Sequence, residues 1–152
     1  MLGDLLRQVS RSFYLSLAIL PRALGEPIGL AYLLARAADT VADTRLIPRG
    51  ERVKHLEILR NAYSGTPAEV GEVARAAVPH QAHAAERRLL TRVGEALERV
   101  EALPPADRDA VRLVLATLTS GMIFDLMWFR GEDAETLGAL ETLDDLDRYT
   151  YL

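Results

Sequence analysis

Leu30-Ala31-Tyr32-Leu33-Leu34-Ala35-Arg36-Ala37-Ala38-Asp39-Thr40-Val41-Ala42-Asp43 is the stretch on which the reading of this chain turns. It reads as a helix from about Pro27, a good first-turn residue, to about Asp43. A helix turns by about 100° per residue, so relative to Tyr32, Arg36 falls at roughly 40°, Asp39 at roughly -20° and Asp43 at roughly 20°. These four residues form one narrow polar line. Apart from Thr40, the rest of the stretch is Leu, Ala and Val. Aspartates four apart on a helix repel by a few tenths of a kcal/mol, and Asp is a poor helix former. On a solvated face such a pair needs no explanation. Along an apolar helix that faces an interior, it calls for a counter-charge. A hard divalent cation that keeps several waters, such as Mg²⁺, suits carboxylate oxygens.

On either side of this helix the pattern stays helical. Val, Ile and Thr never alternate with polar residues over a sustained run, and aromatic residues are only 6%, so strand signals are weak. The expected class is all-α. Pro and Gly mark the boundaries. A first helical pair runs from about Leu2 to Leu20 and stops at Pro21. After a loop over 44–50, helices are expected over about 51–63, 68–80, 81–103 and 105–129. A last one is expected from about Thr142, with Asp144 and Asp145 in its first turn.

Composition narrows the function classes. The 152 residues are 49% hydrophobic and 26% charged, a globular mixture of a size suited to one domain. With 18 basic and 22 acidic residues the net charge is -4, and no basic tail is present, which argues against nucleic acid as a partner. There is no cysteine, so disulfides, thiolate metal sites and a Cys nucleophile are excluded, and a reducing cytoplasm fits. Asp4, Arg7 and Arg11 break any signal-peptide pattern. The most apolar window is read as Pro27 to Val41, too short to span a bilayer.

Two further stretches carry chemistry. Ser10-Arg11-Ser12-Phe13 places two hydroxyls around a guanidinium, a set that could grip a phosphate; Ser10 or Ser12 is equally a helix N-cap. In Gly121-Met122-Ile123-Phe124-Asp125-Leu126, a mid-helix glycine admits close approach by a neighbour or a ligand, with Asp125 one turn later on the same face. Plain helix packing at Gly121 and a solvated Asp125 is the alternative. His80 and His83 have no third ligand nearby and read as structural or exposed; His55 reads as surface.

Ser10-Arg11-Ser12-Phe13, then Leu20-Pro21, then Tyr32, Arg36, Asp39 and Asp43, resemble in order and spacing the squalene and phytoene synthase family. Its pattern is S-[RK]-S-F, a leucine-proline step, then Y-x3-R-x2-D-x3-D. Gly121-Met122 with Asp125-Leu126 is similar to the family's G-M-x-x-D-L helix. Asp147 to Leu152 is similar to the opening of its Y-x-x-x-V-A-G segment. The resemblance is strongest over 10–43 and weakest over 44–105. Its wording leans towards squalene-synthase-like bacterial members.

The resemblance implies an all-α isoprenoid synthase fold and Mg²⁺-dependent, head-to-head condensation of two farnesyl-type diphosphates. The route passes through a cyclopropyl diphosphate to squalene or a related C30 hydrocarbon. On this likeness Asp39 and Asp43 hold Mg²⁺, and Arg36 and Tyr32 line the diphosphate site. Ser10, Arg11, Ser12 and Phe13 contact a diphosphate and the start of the prenyl chain. Gly121, Met122 and Asp125 wall the cavity, and Tyr149 stands near the reacting centre. NADPH is required if squalene is the product; phytoene and dehydrosqualene formation do without it. The implied location is cytoplasmic, with peripheral membrane association for release of a lipid product.

The family's second aspartate-rich motif, N-x-x-R-D-x-x-x-D, has no counterpart here. Residues 1–152 are therefore expected to be the N-terminal part of a single isoprenoid synthase domain, with little or no synthase activity alone. A non-catalytic helical binding or assembly module is the competing expectation. Either way, exposed helix faces predict homo-oligomerisation.

Overall fold

The structure is a computed structural model that describes residues 2–66 and 68–128. Among these residues all regular structure is helical, as expected. The order is α1 (Leu2–Val9), α2 (Arg11–Ala18), α3 (Arg22–Ala42), α4 (Arg49–Tyr63), α5 (Val70–Ala77), a 3-10 turn at Val78–His80, α6 (Ala84–Thr91), α7 (Val93–Glu101) and α8 (Pro105–Trp128). The helix expected from Thr142, the Asp147–Leu152 segment and Tyr149 lie outside the described residues.

The long helix α3 is central and packs against α2, α4, α6, α7 and α8. Gly29, Leu30, Leu33, Leu34, Ala37, Ala38 and Val41 are its buried residues, at the spacing of one helix face. They meet Leu56, Leu59 and Tyr63 of α4, Val93, Ala96 and Val100 of α7, and Val111, Leu115 and Ile123 of α8 in one core. Small Ala37 and Ala38, fully excluded from solvent, let neighbouring backbones come close. The Tyr63 hydroxyl donates to the Leu34 carbonyl at 2.7 Å, which fixes α4 against α3.

α3 corrects one expectation. It begins at Arg22 rather than Pro27, with Pro21 as its N-cap, and Pro27 sits inside the helix. Proline there removes one backbone bond, to the Ala23 carbonyl one turn earlier. Ala23 and its neighbours Arg22 and Leu24 are exposed, so water takes that carbonyl and the helix survives.

The single helix expected over 81–103 is two. α6 ends at Thr91, α7 starts at Val93, and Arg92 caps both. The Thr91 hydroxyl turns back onto the carbonyls of Arg87 and Arg88, at 3.1 and 2.9 Å. Such back-bonding bends helices, and Gly94 just beyond contributes little helix stability.

The most apolar stretch is likewise not 27–41. α8 is long and apolar enough to cross a membrane by length and composition, with mean hydropathy 1.5 over its best 18-residue window, of which 28% is buried. One stripe of α8, Val111, Leu115, Thr119 and Ile123, packs inward. Leu113, Val114, Leu118 and Met127 remain exposed on its other sides.

Candidate functional site

α3 carries two faces. The core stripe lies on one side; Tyr32, Arg36, Asp39 and Asp43 lie roughly opposite. Tyr32, Arg36 and Asp39 are half-buried and Asp43 is exposed, so the polar line does not face the core. It faces a pocket of about 350 Å³ shared with the loop after α3 and the start of α6, lined by Arg36, Asp39, Thr40, Asp43, Arg45, His80, His83 and Glu86 among others.

Asp39 and Asp43 stand one turn apart at the end of α3, where the backbone N–H of Asp43 donates to the Asp39 carbonyl at 2.9 Å. Partial desolvation by the pocket walls, then repulsion from Asp39, raises the Asp43 pKa above the usual carboxylate range, against the opposing pull of Arg36, Arg45 and Arg52. A carboxylate pair in this condition favours a cation. Among the described residues no group of three or more His, Cys, Asp or Glu side chains is arranged to hold a metal. The two aspartates suit one that keeps most of its water shell, which is the habit of Mg²⁺.

Beside them, Arg36 Nη2 donates to Glu86 at 3.1 Å, and the hydroxyl of Thr40 reaches the other oxygen of Glu86 at 2.7 Å. Arg36 is held protonated chiefly by that Glu86 contact, against the opposing effect of burial. Its Nε is buried with no hydrogen-bond partner among the described residues. Thr44, nearly buried, accepts from Gln81 Nε2 at 2.9 Å and donates to the Thr40 carbonyl at 2.6 Å. The C-terminal turn of α3 is therefore tied on two sides to the segment that opens α6. Arg52, 1% exposed, fixes it from below: Nη1 donates to the Ala42 carbonyl at 2.7 Å and Nε to the Ile47 carbonyl at 2.9 Å.

Towards the other end of the same face, Phe13 of α2 stacks on Tyr32 with ring centroids 4.0 Å apart and planes 16° apart. Ser10 is the N-cap of α2, its oxygen accepting from Phe13 N–H at 3.4 Å. The capping role proposed for this serine is thus real, and its own O–H remains able to donate. Arg11 and Ser12 are exposed. Beyond Tyr32, one and two turns back along α3 and about 40° and 80° round from it, stand Ile28 and Leu24, both exposed. The face changes along its length from two carboxylates and a guanidinium, through an aromatic pair, to bare aliphatic side chains.

On α8, Met122 packs against the core. Gly121 is half-buried with open space where a side chain would project, so no neighbour among the described residues presses on it. Asp125 Oδ1 is buried with no hydrogen-bond partner among the described residues, and desolvation raises that carboxyl's pKa. His80 and His83 are exposed, as expected. His55 departs from expectation: it is half-buried, with Nδ1 shielded and without a hydrogen-bond partner among the described residues. Sequence reasoning missed Glu86, Thr40, Thr44 and Arg52. Thr40 lies within the quoted stretch but at an unspecified position of its pattern, the other three stand in no motif, and an acidic residue in the first turn of α6 reads as ordinary helix-dipole chemistry.

The profile of squalene/phytoene synthases matches residues 6–152. The chain belongs to the squalene/phytoene synthase family. Members of this squalene/phytoene synthase family are all-α prenyltransferases that join prenyl diphosphates head to head. No curated protein and no solved structure gives a significant match.

Proposed function

We propose that the open face of α3 binds one farnesyl-type diphosphate lengthwise, head at Arg36–Asp43 and tail along Tyr32, Ile28 and Leu24. Its role is Mg²⁺-dependent head-to-head condensation leading to squalene or a related C30 hydrocarbon. The observation that carries this reading is the change of polarity along a single helix face. A diphosphate ester of a polyprenol has the same asymmetry, an ionic head and an apolar chain.

Each residue then has a physical task. The Arg36 guanidinium offers charge-assisted donors to diphosphate oxygens. Asp39 and Asp43 would hold Mg²⁺, which neutralises charge on a leaving diphosphate. The stacked Phe13 and Tyr32 rings present π faces beside the allylic end of the chain, where positive charge develops. Ser10, Arg11 and Ser12, at the start of α2, can contact a second diphosphate. Leu24 and Ile28 keep water from the apolar chain, which protects a carbocation from capture.

The test is binding of a non-ionising thiodiphosphate analogue of farnesyl diphosphate, followed by calorimetry with and without Mg²⁺. The expected result is Mg²⁺-dependent binding that is lost in Asp39→Ala and weakened in Ile28→Asp. Binding indifferent to Mg²⁺ and to both substitutions would reject this placement.

A further inference from the structure

Glu86 is a third carboxylate in a pocket that already holds Asp39 and Asp43, and this is odd for a site meant to take a polyanion. Among the charged side chains lining it, two are cationic, Arg36 and Arg45, and three are anionic. On charge alone Glu86 opposes diphosphate binding. Its bonds point the other way. The carboxylate side chain is 13% exposed, the Arg36 side chain 41%. One oxygen takes Arg36 Nη2 and the other lies 2.7 Å from Thr40 Oγ1, so it spans two residues one turn apart on α3 that flank Asp39. The same hydroxyl lies 2.9 Å from the Arg36 carbonyl, so its one proton is shared between that carbonyl and the closer Glu86 oxygen. A long flexible arginine is thereby held at one angle beside the metal-facing aspartates by a residue on another helix.

We propose that Glu86 is a positioning residue, which fixes the Arg36 guanidinium for the diphosphate through the Arg36–Glu86–Thr40 bridge between α3 and α6. This rests on the reading of Arg36, Asp39 and Asp43 as the diphosphate end of the site. The carboxylate costs binding through its charge and returns more through the order it imposes: an arginine already held in place loses less freedom when it meets its anion. Side chains that orient a ligand-bearing residue in this way typically matter tenfold or more.

The two contributions have opposite signs, and that makes the proposal testable. Calorimetry with inorganic diphosphate in excess Mg²⁺ is the measurement, with thermal melting by circular dichroism run in parallel. If Glu86 positions Arg36, Glu86→Gln weakens binding by about tenfold although a negative charge has been removed. In an Arg36→Ala background the same change does nothing or tightens binding. Thr40→Val weakens binding by a smaller factor and Thr40→Ser restores it. These threonine variants carry the test should Glu86→Gln melt early. Tighter or unchanged binding in Glu86→Gln with an unchanged melt would overturn the proposal. So would an equal loss with and without Arg36, which is the mark of a general structural role. Asp39→Ala separates the underlying reading: if it leaves Mg²⁺-dependent binding intact, or the parent chain shows none, the site itself is misplaced. If Asp39→Ala abolishes binding while the Glu86 and Thr40 variants do not weaken it, only the role of Glu86 fails.

Discussion

At the scale of single residues, Asp43 makes the sharpest prediction. Its pKa is raised in the folded chain, so folding binds a proton more tightly there than the unfolded chain does. The sign follows: stability is gained below the folded pKa and declines as pH rises from the unfolded value through the folded one. At neutral pH without a divalent cation the aspartate pair is a net cost of a few tenths of a kcal/mol. Asp43→Asn is therefore expected to raise the melting temperature slightly in EDTA, and Mg²⁺ to raise it in the parent chain but not in the variant. Gly65 gives a second case. Its φ is +90°, and a Cβ there would lie 2.7 Å from the guanidinium carbon of Arg112, which is ion-paired with Glu101. Gly65→Ala is expected to cost about 1–2 kcal/mol in urea denaturation. Arg36, Asp39 and Asp43 were legible in the sequence because they share one helix, and helix geometry alone puts them together. Glu86 was not, because its place beside them depends on how α6 packs, and no local spacing encodes that.

At the scale of elements, the joint between α3 and α4 does most to hold the candidate site. Arg52 satisfies carbonyls at the end of α3 and in the following loop from a buried position. Replacing it with Met strands those oxygens and is expected to cost about 2–4 kcal/mol, read by urea denaturation; Arg52→Lys should recover part. Tyr63→Phe deletes only the bond to the Leu34 carbonyl and is expected to cost about 1 kcal/mol in the same assay. In the sequence, Arg52 looks like one more charge in a polar helix. Its burial follows from the turn over 44–48, which folds the end of α3 back over α4. Pro27 misled for a related reason: a proline inside a helix is tolerable where solvent reaches the freed carbonyl, and exposure is a tertiary fact. The 91–94 break was legible in hindsight, from a β-branched hydroxyl residue followed by glycine.

At the scale of the whole molecule, the exposed aliphatic side chains fall mostly on two surfaces: Leu15, Ile19, Leu24 and Ile28 on and around α2 and α3, and Leu113, Val114, Leu118 and Met127 on α8. Apolar area of this kind seeks cover. The chain is expected to elute from gel filtration larger than its 16.8 kDa monomer and to bind a hydrophobic dye, with both effects reduced by Leu113→Lys combined with Leu118→Glu. A sharp monomer peak with no dye binding would contradict this. The all-α class was readable from period and composition. The one-sidedness of α8 was not, since its residues are apolar all round and only packing decides which are hidden.

The graded face of α3 has one more consequence. From Leu24 to Arg36 is twelve residues of α3, a rise of about 18 Å with about 120° of winding round the axis, and each turn advances about 5.4 Å, comparable to a single prenyl unit. A tail laid along this face is measured off in turns, as against a graduated rod. On the proposed placement Ile28 would lie beside the middle of the chain and Leu24 near its far end, so bulk added at either place would select by length and leave the ionic end untouched.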